Sequence, residues 1–398
     1  MRPLEDIVVL DLGQIYNAPY ASLLLAYAGA EIIKIEPPEG EALRRQTPPG
    51  EPPHPFLLLN GNKKSVALDL KHPQGRALFL DLVRQADVVV ENFAVGTMDR
   101  LGLGVDVLRQ VNPRVVVATG KGFGTSGPHA HYPAMDLTVQ ALTGIMASTG
   151  FPDQPPVKAG VAFVDFLAGV HLAYGILLAL FQRERTGTGQ VVEVAMQDAV
   201  IPTLASNLGG YLASGGTLPE RTGNRHGGLA IAPYNTYACR DGWVAVLAVT
   251  DRHWQAVARV IGRPELADHP DWRTMGDRAR RMEEVDALVE AWTRPRSREE
   301  VVRILTAEHV PAAPVASLGE VLADPHVAAR GMLAHVPHPV FGDVMAFGNP
   351  VRLSAADPVP PAAAPVVGRD TAAVLRARLG LSDAALAQLA AEGVIRTG

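Results

Sequence analysis

Short runs of β-branched and apolar residues recur along the first half of this chain, and they do not alternate with polar ones. Ile7–Leu12 reads IVVLDL, Asp87–Glu91 reads DVVVE and Arg114–Thr119 reads RVVVAT. A strand with one face in water alternates apolar and polar side chains, whereas an unbroken apolar run belongs to a strand covered on both faces. Glu31–Ile35, Ser65–Leu70 and Val191–Met196 read as further strands, and Pro19–Ala28 and Gln74–Ala86 carry helical spacing. Strands alternating with helices and buried on both faces predict an α/β fold with a doubly wound, mostly parallel, Rossmann-like sheet.

The pattern changes further along. A helix from about Asp165 to Glu184 stops at Arg-Thr-Gly-Thr-Gly. Beyond Gly215 a loop rich in Gly, Arg and His, Arg221–Gly228, leads to two short strands, Tyr234–Cys239 and Trp243–Val249. Helices follow at His253–Ile261, Met282–Trp292 and Arg298–Glu308. Residues 1–215 are therefore expected to form the first part of a large domain. Residues 223–318 form a smaller α+β domain, and residues 325–398 return to the large one. Pro37–Pro55 reads as a surface loop, Gly331–Met345 as strand, and Asp357–Pro365 (DPVPPAAAP) as a semi-rigid linker. Thr371–Leu379 and Asp383–Glu392 read as helices.

Composition narrows the function classes. A chain of 398 residues, 47% apolar and 19% charged, has enough apolar material for two or three cored domains. Its formal charge of −5 offers no whole-chain attraction for nucleic acid or an anionic membrane. One cysteine, Cys239, excludes an intramolecular disulfide and a cysteine zinc cluster. Glu5 and Asp6 precede the first strand without the features of a signal peptide, so a cytoplasmic location is expected. Ala159–Phe181 imitates a membrane span in length. Asp165, Gly160 and Gly169 interrupt it, and it reads as a buried helix with an aspartate at its start.

Most motif matches dissolve on inspection. Gly122-Phe-Gly124-Thr-Ser-Gly127 has the spacing of a dinucleotide fingerprint but is followed by Pro128 and Pro133 rather than a helix. The first βα turn, Gly13–Pro19, has no fingerprint. Asn60–Ser65 lacks the glycine and Gly-Lys pair of a phosphate loop, and Lys63 and Lys64 read as a solvated strand entrance. Ser126 is no nucleophile elbow, since Pro128 takes the final glycine position. His129/His131 and His335/His338 lack partners for a metal set, and no metal is expected. Asp165 is different. As a helix N-cap it would accept the first free N–H groups. In its apolar surroundings (Val161-Ala-Phe-Val-Asp165-Phe-Leu-Ala) it would also be an ionised carboxylate stripped of water, which is what a carboxylate nucleophile requires. The residues alone leave both readings open.

Several segments stand in a familiar order. They are Leu10-Asp-Leu12, Gly29–Glu36 (GAEIIKIE), Asn62–Ser65 (NKKS), Asp87–Phe93 (DVVVENF), Gly122–Pro128 (GFGTSGP) and Thr186–Gln190 (TGTGQ). Met196-Gln-Asp198, Arg221–Asn224 (RTGN) and Ala232-Pro-Tyr234 complete the series. Together they resemble the class III CoA-transferases, the family that holds formyl-CoA and carnitine CoA-transferases and α-methylacyl-CoA racemase. The resemblance implies an interlocked homodimer, with acyl-CoA and free carboxylic acids as substrates and no tightly bound cofactor. It places the catalytic aspartate at Asp165, which would carry the acyl group as a mixed anhydride and then CoA as a thioester. It also implies CoA contacts at Ile15 and Asn17, at Leu68, Lys71, Asn92, Phe93, Thr97 and Arg100, and at Met196, with an active-site loop at Gly227 and Gly228.

Departures from the family pattern bear on the substrate. Pro37 stands where formyl-CoA transferase carries a basic residue, and the long insertion before its glycine loop is missing; both point away from formyl-CoA and oxalate. The racemase branch has a His-Asp pair where this chain has Met135-Asp136, and methionine accepts no proton. CoA transfer is thus the leading expectation, ahead of racemisation or a silent CoA-binding protein. The sequence does not identify donor or acceptor; compact members of the family without the insertion resemble enzymes for dicarboxylates such as succinate or glutarate, or for carnitine-like acids. Arg44, Arg45 and Arg225 are candidates for holding a second carboxylate.

Overall fold

The structure, a computed structural model, describes every residue from Met1 to Gly398. Its strands are, in chain order, β1 Val8–Asp11, β2 Glu31–Glu36, β3 Lys63–Leu68, β4 Val88–Glu91, β5 Val116–Lys121 and β6 Val191–Ala195. There follow β7 Tyr234–Cys239, β8 Gly242–Leu247, β9 Ala312–Pro314, β10 Leu333–His338, β11 Gly342–Phe347 and β12 Ile395–Arg396. The chain divides into two compact units. The first comprises Met1–Val139, Ala162–Val200 and Leu322–Gly398; the second comprises Gln140–Val161 and Ile201–Val321. The second unit thus takes in residues 140–161 and begins again at Ile201, ahead of the position 223 expected from composition.

The first unit is built on a seven-stranded sheet in the order β12-β3-β2-β1-β4-β5-β6. All pairings among β1 to β6 are parallel, and β12 joins the β3 edge antiparallel, with Ile395 opposite Leu68. The continuous apolar runs have the expected cause. Val9, Ile32, Val88 and Val90 pack on one face against the helices Asn17–Tyr27 and Phe163–Thr186. Leu10, Ile33 and Val89 point to the other face, against the helices Pro73–Val83 and Thr371–Leu379. Successive residues serve different cores, which is why both register positions carry apolar side chains through the middle of these strands.

Two stretches differ from the sequence expectation. Pro37–Pro55 contains a helical turn, Ala42–Arg45, and a helix begins at His54, because Leu43, Phe56 and Leu57 bury beneath the hairpin of β10 and β11. That hairpin replaces the single strand expected at Gly331–Met345; Gly342, at φ +69°, supplies the left-handed residue of its turn.

The second unit carries a three-stranded antiparallel sheet, β7-β8-β9. Its core gathers Tyr237, Val244 and Val246 against Trp254, Val257, Val285 and Val301 from the helices that follow.

The long helix Phe163–Thr186 is the one helix apolar and long enough to match a bilayer. Val164, Ala168, Leu172, Ala173 and Ile176 lie buried along it, the last three in the core against the sheet.

Candidate active site

Sheet order reverses between β1 and β4, so the loops leaving their carboxyl ends diverge and open a crevice, the place where doubly wound sheets bind ligands. The loop after β1 is held there by side chains from β1, from β2 and from the residue just after β4. Asp11 Oδ1 accepts from Gly13 N (2.7 Å) and Lys34 Nζ donates to Gly13 O (2.8 Å). Asn92 accepts from Gln14 N and donates to Gln14 O, both at 2.8 Å. Ile15 follows at φ +62°, a left-handed conformation costly for a β-branched residue. The helix Asn17–Tyr27 then starts. Asn17 is buried, and neither its Nδ2 nor its Oδ1 has a partner.

Beneath this loop lies a buried ionic cluster. Lys63 Nζ donates to Asp11 Oδ2, Pro19 O and Asn60 Oδ1, each at 2.9 Å, which satisfies all three of its protons. Ser22 Oγ donates to the same Asp11 oxygen at 2.6 Å. Burial works to raise the Asp11 pKa, but Lys63 and Lys34 outweigh it and hold the carboxyl below its ordinary value. The expectation of a solvated strand entrance at Lys63 and Lys64 is therefore half corrected. Strand alternation turns Lys63 inward and leaves Lys64 outside, paired with Glu31 at 2.8 Å.

Asp165 sits in the first turn of the helix Phe163–Thr186 and is 8% exposed. It is not the N-cap that its sequence position suggested. Ala162 takes that place, and the free N–H groups of Val164 (3.0 Å) and Asp165 (3.3 Å) donate to Asp136 Oδ2. Asp136 thus occupies the anion position at the helix end. Asp165 is consequently not held ionised: burial, and then the facing charge of Asp136, push its pKa up to about 7. A carboxyl so placed is a desolvated nucleophile when ionised, and exchanges a proton near neutral pH. One turn on, Gly169 lets the helix approach the loop after β1: a Cβ there would lie 2.7 Å from Asn17 O. Phe166 stacks on Tyr16 (5.8 Å between ring centroids) and meets Tyr20 edge-on (4.9 Å).

Asp136, which the sequence showed only as the second member of the Met135-Asp136 pair, has a role at this helix end that the pair itself did not reveal. The available signal was an acidic residue just beyond a glycine turn, although its target lies some thirty positions away and is not visible in local spacing.

The other expected site residues of the first unit lie at or just beyond carboxyl ends of strands. Lys71 and Arg100 are exposed, with Arg100 Nη2 donating to Thr97 Oγ1 at 2.7 Å. Phe93 is half-buried, its carbonyl accepting from Lys121 Nζ. The Leu68 side chain belongs to the core, and the Asn92 side chain is committed to Gln14. Met196, 6% exposed, opens the helix after β6, and the next N–H, of Gln197, donates to Gly122 O at 3.0 Å. Of the candidates for a second carboxylate, Arg44 is bound by both nitrogens to Glu36 at 2.8 Å and Arg225 to Asp286 at 2.9 Å; Arg45 is exposed. Gly227 and Gly228 lie on the second unit. There the loop is packed, not open, since a Cβ at Gly227 would meet the Asn207 side chain at 2.6 Å. The structure holds no cluster of three or more His, Cys, Asp or Glu side chains arranged for a metal ion.

Residues 4–371 match the model of CoA-transferase family III. The chain belongs to that family. The formyl-CoA:oxalate CoA-transferase of Streptomyces avermitilis is 38% identical, over 99% of this chain and 100% of its own. The acetyl-CoA:oxalate CoA-transferase of Acetobacter aceti is 39% identical, over 89% of this chain and 90% of its own. The succinyl-CoA:mesaconate CoA-transferase of Haloarcula marismortui is 37% identical, over 92% and 94% respectively. A crystal structure of a CaiB/BaiF family protein from Brucella suis superposes with a TM-score of 0.83 at 34% identity, covering 95% of this chain and 99% of that one. These family III relatives differ in donor and acceptor at nearly equal identity, so overall similarity does not select among them.

Proposed function

We propose that this chain moves CoA from an acyl-CoA to a free dicarboxylic acid, with Asp165 as the covalent carrier. The observation that carries the reading is a carboxyl buried at the carboxyl-end face of a family III sheet, with no cation paired to it to quench its nucleophilicity. The Asp165 carboxylate attacks the donor carbonyl; the C–S bond breaks and CoA leaves as a thiolate, forming an aspartyl anhydride. The thiolate attacks the Asp165 carbonyl and expels the donor acid, forming an aspartyl-CoA thioester. The acceptor carboxylate attacks that thioester and releases the thiolate. The thiolate then attacks the acceptor carbonyl, giving the new acyl-CoA and the free Asp165 carboxylate. No net proton is taken up, and the thioester energy is kept from water.

The relatives named above pair an acyl-CoA with oxalate or mesaconate, which supports a dicarboxylic acceptor. Two-base racemisation lacks support, because Met135 supplies no second base. We further propose a cytoplasmic homodimer. The long helix leaves an apolar stripe of Val170, Tyr174, Leu177, Leu178 and Phe181 exposed, at spacings that share one face, as a self-association surface would require.

The test is a panel of isotopically labelled free acids offered with formyl-, acetyl- or succinyl-CoA and read by mass spectrometry. Labelled acid entering thioester is expected for at least one pair, and Asp165→Ala should abolish it while CoA binding stays within about an order of magnitude. Wild-type turnover in the variant would remove Asp165 from the mechanism.

A further inference from the structure

We infer that Asn92 is a positioning residue: its side chain locks the strained turn at Ile15, and it acts on CoA esters through that turn. This rests on the CoA-transferase reading and says how one part of its binding site is held.

The side-chain amide of Asn92 and the backbone of Gln14 form a closed pair, donor to acceptor in both directions at 2.8 Å. That pair engages the amide oxygen and one of the amide protons of Asn92. The next residue, Ile15, holds φ +62°. Such a conformation persists only where the surroundings over-determine it. Here the surroundings are Asn92 on the peptide groups of Gln14, and Asp11 and Lys34 on those of Gly13. The residue just after β4 thereby reaches across the crevice and fixes the loop of β1, the loop expected to meet the pantetheine arm. Without the strap, the turn is free to relax to negative φ and displace the first residues of the helix Asn17–Tyr27.

The test is calorimetric titration with CoA and with a non-transferable acyl-CoA thioether, so that it reads binding whether or not transfer occurs. Asn92→Asp keeps the shape and the acceptor but sets a second oxygen against Gln14 O. It should weaken binding about tenfold, the scale of one lost hydrogen bond. Ile15→Gly removes the steric reason for the strap, because glycine adopts positive φ at no cost. In that background the same Asn92→Asp change should weaken binding by less than about threefold, a coupling typical of residues acting as a unit. Equal penalties in both backgrounds would mean that Asn92 acts on the ligand independently of the turn, and would overturn the inference, as would an Asn92→Asp variant that binds like wild type. Should Asn92→Asp not fold, Asn92→Ser carries the same cycle. Hydrogen exchange on the wild-type chain gives a third reading, with the Gln14 amide slow and the Ile15 amide fast; a fast Gln14 amide would sink the strap. A wild-type chain that binds neither CoA nor the thioether fails the functional reading instead.

Discussion

A carboxyl group with a pKa near 7 inside a protein destabilises the folded chain when it ionises. Asp165 keeps its proton up to about 7 when folded, whereas a solvated aspartate loses it near 4. Folding therefore becomes less favourable as pH rises between those values, by at most about 4 kcal/mol. Asp165→Asn removes the penalty: its melting temperature should exceed that of wild type at about pH 8 and converge with it below about pH 4. The same titration governs activity, since only the carboxylate attacks. Transfer by the wild type should rise with pH along a single limb centred near 7. Burial is the larger cause of that value and the charge of Asp136 the smaller. Asp136→Asn should thus move the limb to lower pH without bringing it to the ordinary aspartate range, as a pH–rate series on the two proteins would show. An unmoved limb would mean that Asp136 does not act on the charge of Asp165. Arg100→Ala tests the opposite kind of contribution. The proposed role of Arg100 is a CoA phosphate contact far from the reacting carbon, which would be made equally in ground and transition states, so KM for the acyl-CoA should rise while kcat holds.

At the scale of elements, the loop after β1 depends on charges that never meet water. Lys63→Met would leave Asp11 buried without its 2.9 Å partner, and removing one member of such a pair costs about 3–5 kcal/mol. Denaturant titration should show that loss, and Lys63→Met combined with Asp11→Leu should recover part of it. How far such features are legible in a sequence depends on whether their cause is local. The runs at Val88–Val90 and Val116–Val117 announce buried parallel strands because both faces of each strand are written into consecutive residues. The position of Asp165 at a helix start is legible too, since an apolar run of helical length begins there. What failed had non-local causes. Lys63 sits inside because Asp11, 52 positions earlier, is there to receive it. Asp165 yields the helix N-terminus to Asp136 because a separate helix, Asp136–Leu142, delivers a second carboxylate. The β10–β11 hairpin and the helix at His54 were missed because each buries its apolar residues against the other.

For the molecule as a whole, the exposed stripe on the long helix calls for a second surface. Leu177→Asp should shift sedimentation toward the monomer without lowering the melting temperature of the monomer itself; a wild-type chain that sediments as a monomer would remove the proposed dimer. The sheet makes a different demand. Its β3 edge is closed by β12, through Ile395 opposite Leu68 and the N–H of Asp69 on Val394 O at 2.9 Å. More than three hundred residues separate the two strands in the chain. At about 5–20 residues per second, a ribosome that has just made β3 takes roughly twenty seconds to a minute to deliver its neighbour. Throughout that interval the nascent sheet offers an open edge of unpaired backbone groups, a template for pairing with any passing strand. Soluble yield is therefore expected to fall when synthesis of the second half of the chain is slowed, as expression at reduced elongation rate would show.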